Sequence, residues 1–413
     1  MLRDLYPKAY RRYLTLPVLG PLIEDFEAWA AQQGYPRETR RDQLHALSWI
    51  DRDLRQAGRT PGSGISRDDL EACWQRHHRR RSNLSTASRV LQRFLAASCR
   101  LAPGGPAPFS PTRLCVQAYA ATLRDLRGLA SATIQQHERV ATELLAYLGY
   151  ETAPDRLAAI TALDVEGFLR VTARRLRRGT LQHTVAALRS FLRFLAGRGQ
   201  APSGLADQLD TPRCYREEQL PRALPWETVR ALLAAIDQTA PRGLRDYTML
   251  FLVATYGLRA SEIVALTLDA IDWRTGVLQI PPRKRSSHLM LPLTDAVARV
   301  LIRYLRQGRP VTTRRELFLR GRAPAGALQP TALSEVFQAW VRRSGLPIPF
   351  QGPHCLRHAA AVHLLRQGVS LKALGDLLGH RTAESTQVYL RLAVDDLCSV
   401  PLPVPTRGEE VSA

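Results

Sequence analysis

Lysine is nearly missing from this chain. Of the 58 basic residues among its 413, only Lys8, Lys284 and Lys372 are lysine and the other 55 are arginine. Where charge alone is needed the sequence has used arginine, so a lysine in a suggestive place asks for a chemical reason. Paired cysteines are missing as well: the six stand at 73, 99, 115, 214, 355 and 398, with no CxxC among them. That excludes a disulfide framework and fits free thiols in a reducing cytoplasm. Long apolar runs are absent. The longest lies near 248–258, about half of what a membrane-spanning helix needs, and Pro17 and Pro21 interrupt the only apolar stretch near the start, so no secretory signal is read there. The expectation is a soluble cytoplasmic protein with no membrane partner. A GxxxxGK[ST] phosphate loop is also lacking, which removes the common ATP-hydrolysing classes. Acidic residues are too few to balance the basic ones, leaving a formal charge of +21. An excess of that size points to a polyanionic partner, and nucleic acid is the first candidate.

What is present falls into three blocks. The first is assigned to residues 1–105 and ends in the Pro/Gly-rich stretch Ala102-Pro-Gly-Gly-Pro-Ala-Pro108. The second covers 111–200, a linker with Pro202, Gly204, Pro212 and Pro221 covers 201–222, the third block covers 223–398, and a Pro-rich tail covers 399–413. Apolar residues three and four apart predict about four amphipathic helices in each of the first two blocks. The two blocks look like copies of one plan. Phe26 and Trp29 match Val116 and Tyr119. Ile65-Ser-Arg-Asp-Asp-Leu70 matches Ile160-Thr-Ala-Leu-Asp-Val165, and Arg93-Phe-Leu-Ala96 matches Arg193-Phe-Leu-Ala196. Each also carries an arginine run ahead of its last helix, Arg76-His-His-Arg-Arg-Arg81 in one and Arg174, Arg175, Arg177 and Arg178 in the other. A solvated helix face is the plain explanation of such a run; with this net charge, contact with a phosphate backbone is the reading adopted. The third block begins with helices, among them an apolar one over 246–256 that stops at Gly257. Strands at 276–280 and 288–293 flank a basic turn, Arg283-Lys284-Arg285, and helices follow. The fold class expected is mainly α: helical N-terminal domains and an α-rich catalytic domain with a small antiparallel sheet.

The chemistry-bearing residues lie in that third block. His354 and Arg357 are three apart and share a helix face. Gly352-Pro353 puts them at the helix start, where free N–H groups favour an anion. Leu377-Leu-Gly-His380 comes next, and Tyr389 stands nine residues later. Far upstream is Gly257-Leu-Arg259-Ala-Ser-Glu262. Each is weak alone, since a lone tyrosine is more often a packed aromatic and a lone histidine a satisfied core residue. In this order they are what metal-free phosphoryl transfer requires. The set Arg259, Lys284, His354-x-x-Arg357, His380, Tyr389 resembles the tyrosine recombinase (phage integrase) family over about residues 223–398. The second block, and with less detail the first, is similar to that family's helical core-binding domains.

The resemblance implies site-specific cutting and rejoining of double-stranded DNA. The Tyr389 hydroxyl would attack phosphorus to form a 3′-phosphotyrosine. Its proton, bound with a pKa of about 10, would go to His354. Arg259 and Arg357 would fork onto the non-bridging oxygens, with His380 donating beside them. Lys284 would protonate the leaving 5′-oxygen, a task for which arginine is too weak an acid. That supplies the reason for a lysine between Arg283 and Arg285, both taken as DNA-binding; an ordinary phosphate contact by Lys284 is the plainer alternative. Glu262 and His358 take supporting places, Glu262 orienting Arg259 or Lys284. No metal is expected: His354 and His358 have the spacing of a zinc pair but lack a third ligand, and Arg357 beside them repels a cation. No cofactor is expected either, because one phosphodiester is exchanged for a phosphotyrosine and then for another phosphodiester. The family resemblance further implies a homo-tetramer, or a mixed assembly with related recombinases, on DNA. Two other functions remain open at this level: a type IB topoisomerase-like relaxing enzyme, and a non-catalytic DNA-binding relative.

Overall fold

The structure is a computed structural model that describes residues 2–77, 82–103, 109–213, 222–281, 289–380 and 382–390. The chain divides into two compact units, Gly105–Gln219 and the combination of Met1–Gly104 with Leu220–Ala413. The first and third sequence blocks therefore share one unit, each around its own apolar core.

In the first block, three short helical turns (Leu2–Leu5, Tyr10–Leu14 and Gly20–Leu22) precede α1 (Ile23–Gln32), α2 (Arg37–Gln56), α3 (Arg67–His77) and α4 (Ser82–Ala97). A two-residue parallel pairing of β1 (Ile65–Ser66) with β2 (Leu101–Ala102) ties the ends of the last two helices together. The second unit holds α5 (Pro111–Asp125), α6 (Ser131–Tyr147), α7 (Ala162–Ala173) and α8 (Arg178–Gly197). The likeness read from sequence has a physical counterpart. At the start of α3, the Asp69 carboxylate accepts from the backbone and hydroxyl of Ser66, at 2.8 and 2.7 Å. At the start of α7, Asp164 accepts from the same two groups of Thr161, at 2.9 and 2.7 Å. These are matching caps that satisfy otherwise orphaned N–H groups. The aromatic pairs match too: Trp29 lies 5.7 Å from Phe94 in the first block, and Tyr119 lies 5.1 Å from Phe194 in the second.

The third block is built on α9 (Trp226–Ala234) and α10 (Pro241–Tyr256), then a short α11 (Ala260–Val264). A three-stranded antiparallel sheet follows, of β3 (Ile271–Asp272), β4 (Val277–Ile280) and β5 (Leu289–Pro292). Alternation decides its faces: Leu278, Ile280 and Leu291 are buried, and the opposite register pair Gln279–Met290 faces out. After it come α12 (Asp295–Arg303), α13 (Pro330–Ser344), α14 (His354–Arg366), α15 (Leu371–Leu378) and α16 (Ala383–Gln387). α10 is the axis of this block and is buried along almost its whole length. It is pinned to α13 by a buried ion pair: Arg245 and Asp246 bond at 3.0 and 2.7 Å, and Asp246 also accepts from the Trp340 indole at 3.0 Å. The mainly helical class with a small antiparallel sheet is the architecture observed. No helix among the described residues is long and apolar enough to cross a membrane.

Candidate active site

Two helix ends open the site. α10 stops because Gly257 adopts φ +63°, a left-handed conformation that side chains resist. A Cβ there would also meet Leu378 Cδ2 at 2.7 Å. The turn that follows delivers Arg259 to the start of α11. Glu262 holds it twice, accepting from its backbone N–H at 2.8 Å and from Nη1 at 2.9 Å. Glu262 is buried and Arg259 is about a third exposed, so the carboxylate aims the guanidinium, whose Nη2 donates to the Gly379 carbonyl at 3.5 Å.

α14 starts at His354, immediately after Gly352-Pro353. Arg357, one turn in, is 2% exposed, among the most enclosed large side chains of the molecule. Its Nη1 donates to the carbonyl of Gly257 and its Nη2 to that of Leu378, the latter at 2.7 Å. Those carbonyls belong to the ends of α10 and α15, so one guanidinium ties three helices together. Nη2 also lies 3.4 Å from His380 Nε2. α15 ends with Gly379 at φ +61° and releases His380. The His380 ring stacks nearly parallel to that of Tyr389, centroids 6.0 Å apart.

Tyr389 is 3% exposed and packs with Ala361, Val362, Leu374 and Leu378. Its hydroxyl is 3.1 Å from His358 Nδ1. His354, to which the sequence assigned the base, sits edge-on against His358 with centroids 4.6 Å apart and lies on the exposed side of the pair. The imidazole in contact with the phenol is thus the one given a supporting place. The reason is helical geometry: residues 354 and 358 project from successive turns, and only the inner one reaches a tyrosine packed beneath α14.

The electrostatics follow from crowding cations in a partly dry space. Burial, then the neighbouring His354 and the charge of Arg357, push His358 down to about 4. Burial lowers His354 as well, helped by Arg357, Arg259 and Arg222. Burial raises Tyr389 above the usual phenol value, although Arg357 and Arg259 pull the other way. The phenol is therefore protonated at neutral pH and both histidines are neutral.

Arg259, His354, Arg357, His358, His380 and Tyr389 come together in one place. Lys284, Arg283 and Arg285 lie outside the described residues. Arg174, Arg175, Arg177 and Arg178 are exposed at the junction of α7 and α8 in the other unit, where Arg175 pairs with Glu143. Sequence reasoning missed Thr386. It is 1% exposed and its hydroxyl is 2.9 Å from His380 Nδ1, which leaves His380 Nε2 to face Arg357. A polar residue three before the tyrosine was the available signal, but it is indistinguishable from a helix-start threonine until the packing is seen.

The family follows from this site and fold together with the chain's relatives. Residues 222–395 match the model of the phage integrase family, and residues 116–199 match that of the phage integrase N-terminal SAM-like domain. A Sinorhizobium fredii protein named as integrase/recombinase y4rA is 32% identical over 406 residues, covering 96% of this chain and 98% of its own length. Tyrosine recombinase XerD of Listeria monocytogenes is 30% identical over 269 residues, 64% of this chain and 89% of that one. Among solved structures, the XerH site-specific recombinase bound to its difH substrate shares the fold with a TM-score of 0.51 at 18% identity, over 87% of this chain and 96% of that one. The chain belongs to the phage integrase family. Within it, it is a tyrosine-type site-specific recombinase.

Proposed function

We propose that this protein cleaves one strand of duplex DNA at a time by attack of Tyr389 on phosphorus, leaving a 3′-phosphotyrosine, and then rejoins the strand to a new partner. The observation that carries the reading is the convergence of two guanidinium groups and three imidazoles around one phenol. Arg259 and Arg357 take the non-bridging oxygens, where charge concentrates in the transition state, and His380 donates beside them. Lys284 protonates the 5′-oxygen as it leaves. Because the phenol is protonated and buried, it must shed its proton during attack. With a pKa near 4, His358 is a poor acceptor, so it holds the hydroxyl. The more open His354 is the imidazole that a bound phosphate would meet, and since His358 is the one in contact with the phenol, the proton reaches His354 through a non-bridging oxygen of that phosphate. The bond energy is kept throughout, so no metal or nucleotide cofactor enters the scheme.

The assignment extends to the rest of the chain. Residues 111–200 act as the core-binding domain, with Arg174, Arg175, Arg177 and Arg178 on phosphates. Residues 1–105 act as a further helical DNA-binding domain, and Arg283 and Arg285 contact the backbone beside the cleavage point. Work on two duplexes at once requires several copies, and a homo-tetramer or a mixed assembly with related recombinases, acting in the cytoplasm, is the proposed form. The test is trapping on a nicked suicide duplex. The wild-type chain should form a covalent DNA adduct stable to denaturant, and Tyr389→Phe should form none while still shifting the duplex. Failure of the wild type to form an adduct on any cognate duplex would sink the proposal. Relaxation of supercoiled plasmid without exchange between two sites would instead favour the topoisomerase-like reading.

A further inference from the structure

At the far end of α10 from the reacting groups lies a second cationic concavity, of about 430 Å³. Arg242 and Gly257 mark opposite ends of that helix, about 22 Å apart at 1.5 Å per residue, so this cavity is separate from the tyrosine site. Four guanidinium groups line it, those of Arg242, Arg245, Arg320 and Arg322. Arg245 is buried and committed: Asp246 takes two of its N–H groups and the carbonyl of Leu319 a third. Arg242 reaches Asp246 only at 3.8 Å. Among the described residues, the side chains of Arg320 and Arg322 have neither a hydrogen bond nor an ion pair, though Arg320 is half-buried. The cavity's own lining offers a single carboxylate, Glu335, and the first turn of α13, with the positive end of its helix dipole, closes the wall.

Asp246 answers the charge of Arg245, which leaves Arg242, Arg320 and Arg322 in the lining of the hollow against its one carboxylate, and their mutual repulsion raises the local potential unless an anion is present. Guanidinium forks arriving from several directions suit the tetrahedrally arranged oxygens of a phosphate better than the two coplanar oxygens of a carboxylate. We propose that this pocket is a phosphate-binding site distinct from the catalytic centre. The phosphate has two possible sources with one chemistry, the backbone of a duplex or a free phosphate-bearing molecule.

The experiment uses the full chain and compares Arg320→Gln/Arg322→Gln with a control pair of exposed arginines elsewhere, Arg55→Gln/Arg230→Gln. Inorganic pyrophosphate, at ionic strength matched with chloride, should raise the melting temperature of the wild type and the control by about 2–4 °C more than that of the pocket variant. Any phosphate taken up at the catalytic arginines is common to all three proteins and cancels. This arm is independent of whether the chain recombines DNA. In the second arm, the slope of log affinity for a duplex against log salt should fall by about 1–2 in the pocket variant relative to the control if the source is the backbone. A pyrophosphate difference without a slope change identifies a free phosphate ligand, and a slope change identifies the duplex. Equal pyrophosphate shifts together with equal slopes in the pocket and control variants would overturn the proposal.

Discussion

His358 is where a single residue's environment becomes measurable. Its pKa falls from an ordinary 6.5 to about 4 because burial, and then the neighbouring His354 and Arg357, disfavour its protonated form in the folded chain. The unfolded chain takes up a proton near 6.5 and the folded chain does not until about 4. The fold therefore loses stability as pH drops through that window and gains nothing from this group above it. Melting temperature followed from pH 7 to 4 should fall, and His358→Asn should flatten part of the decline. The two histidines also separate kinetically. His354→Ala should slow adduct formation about 100-fold or more, as expected for loss of a base. His358→Ala should cost less and should recover at high pH, where the phenol ionises unaided. Equal losses with the same pH profile would contradict the division of labour. Thr386 belongs to the same scale. Removing its hydroxyl in Thr386→Ala frees His380 to turn, which costs on the order of 1 kcal/mol and slows cleavage about 5-fold; Thr386→Ser should restore the rate because the oxygen returns to His380 Nδ1.

At the scale of elements, the site is a junction of helix ends. α10 and α15 both finish on left-handed glycines, and Arg357 of α14 seals the joint by donating to a carbonyl from each. Gly257→Ala puts a Cβ into Leu378 and forces a left-handed alanine, which should destabilise the fold by about 1–3 kcal/mol in chemical denaturation. Because Arg357 is bonded to the Gly257 carbonyl, cleavage should fall further than stability alone explains. Lys284 stands in the sequence between β4 and β5 and lies outside the described residues, so its role rests on chemistry. Lys284→Ala should slow cleavage, and a substrate with sulfur at the 5′-bridging position, a better leaving group, should rescue it. Without rescue the acid role fails.

For the whole molecule, charge governs. A chain of +21 that spreads arginine over both units should bind duplex DNA with a steep salt dependence, each neutralised phosphate adding about 0.9 to the slope. Filter binding between 50 and 200 mM salt measures it, and a flat response would contradict backbone contact. Much of this architecture was legible beforehand. Helix spacing marked the elements, Gly257 marked the end of α10, and Ser66 and Thr161 each sit three before an aspartate that caps the next helix. The order of boxes from Arg259 to Tyr389 marked the site. The grouping of residues 1–104 with the third block was not legible, because it depends on contacts such as Ala325 N–H with the carbonyl of Gln33, 2.9 Å apart, between segments almost 300 positions distant.

Local periodicity and turn chemistry determined which residues form helices, where those helices stop and which side chains share a face, since those preferences act within a few residues. Which imidazole touches Tyr389, why Thr386 fixes His380 and how Arg357 spans two helix ends were decided only by tertiary packing. The same holds for the arginines that meet at the far end of α10. Each of these depends on the distance between elements that the sequence separates, and burial sets the protonation of the groups so enclosed.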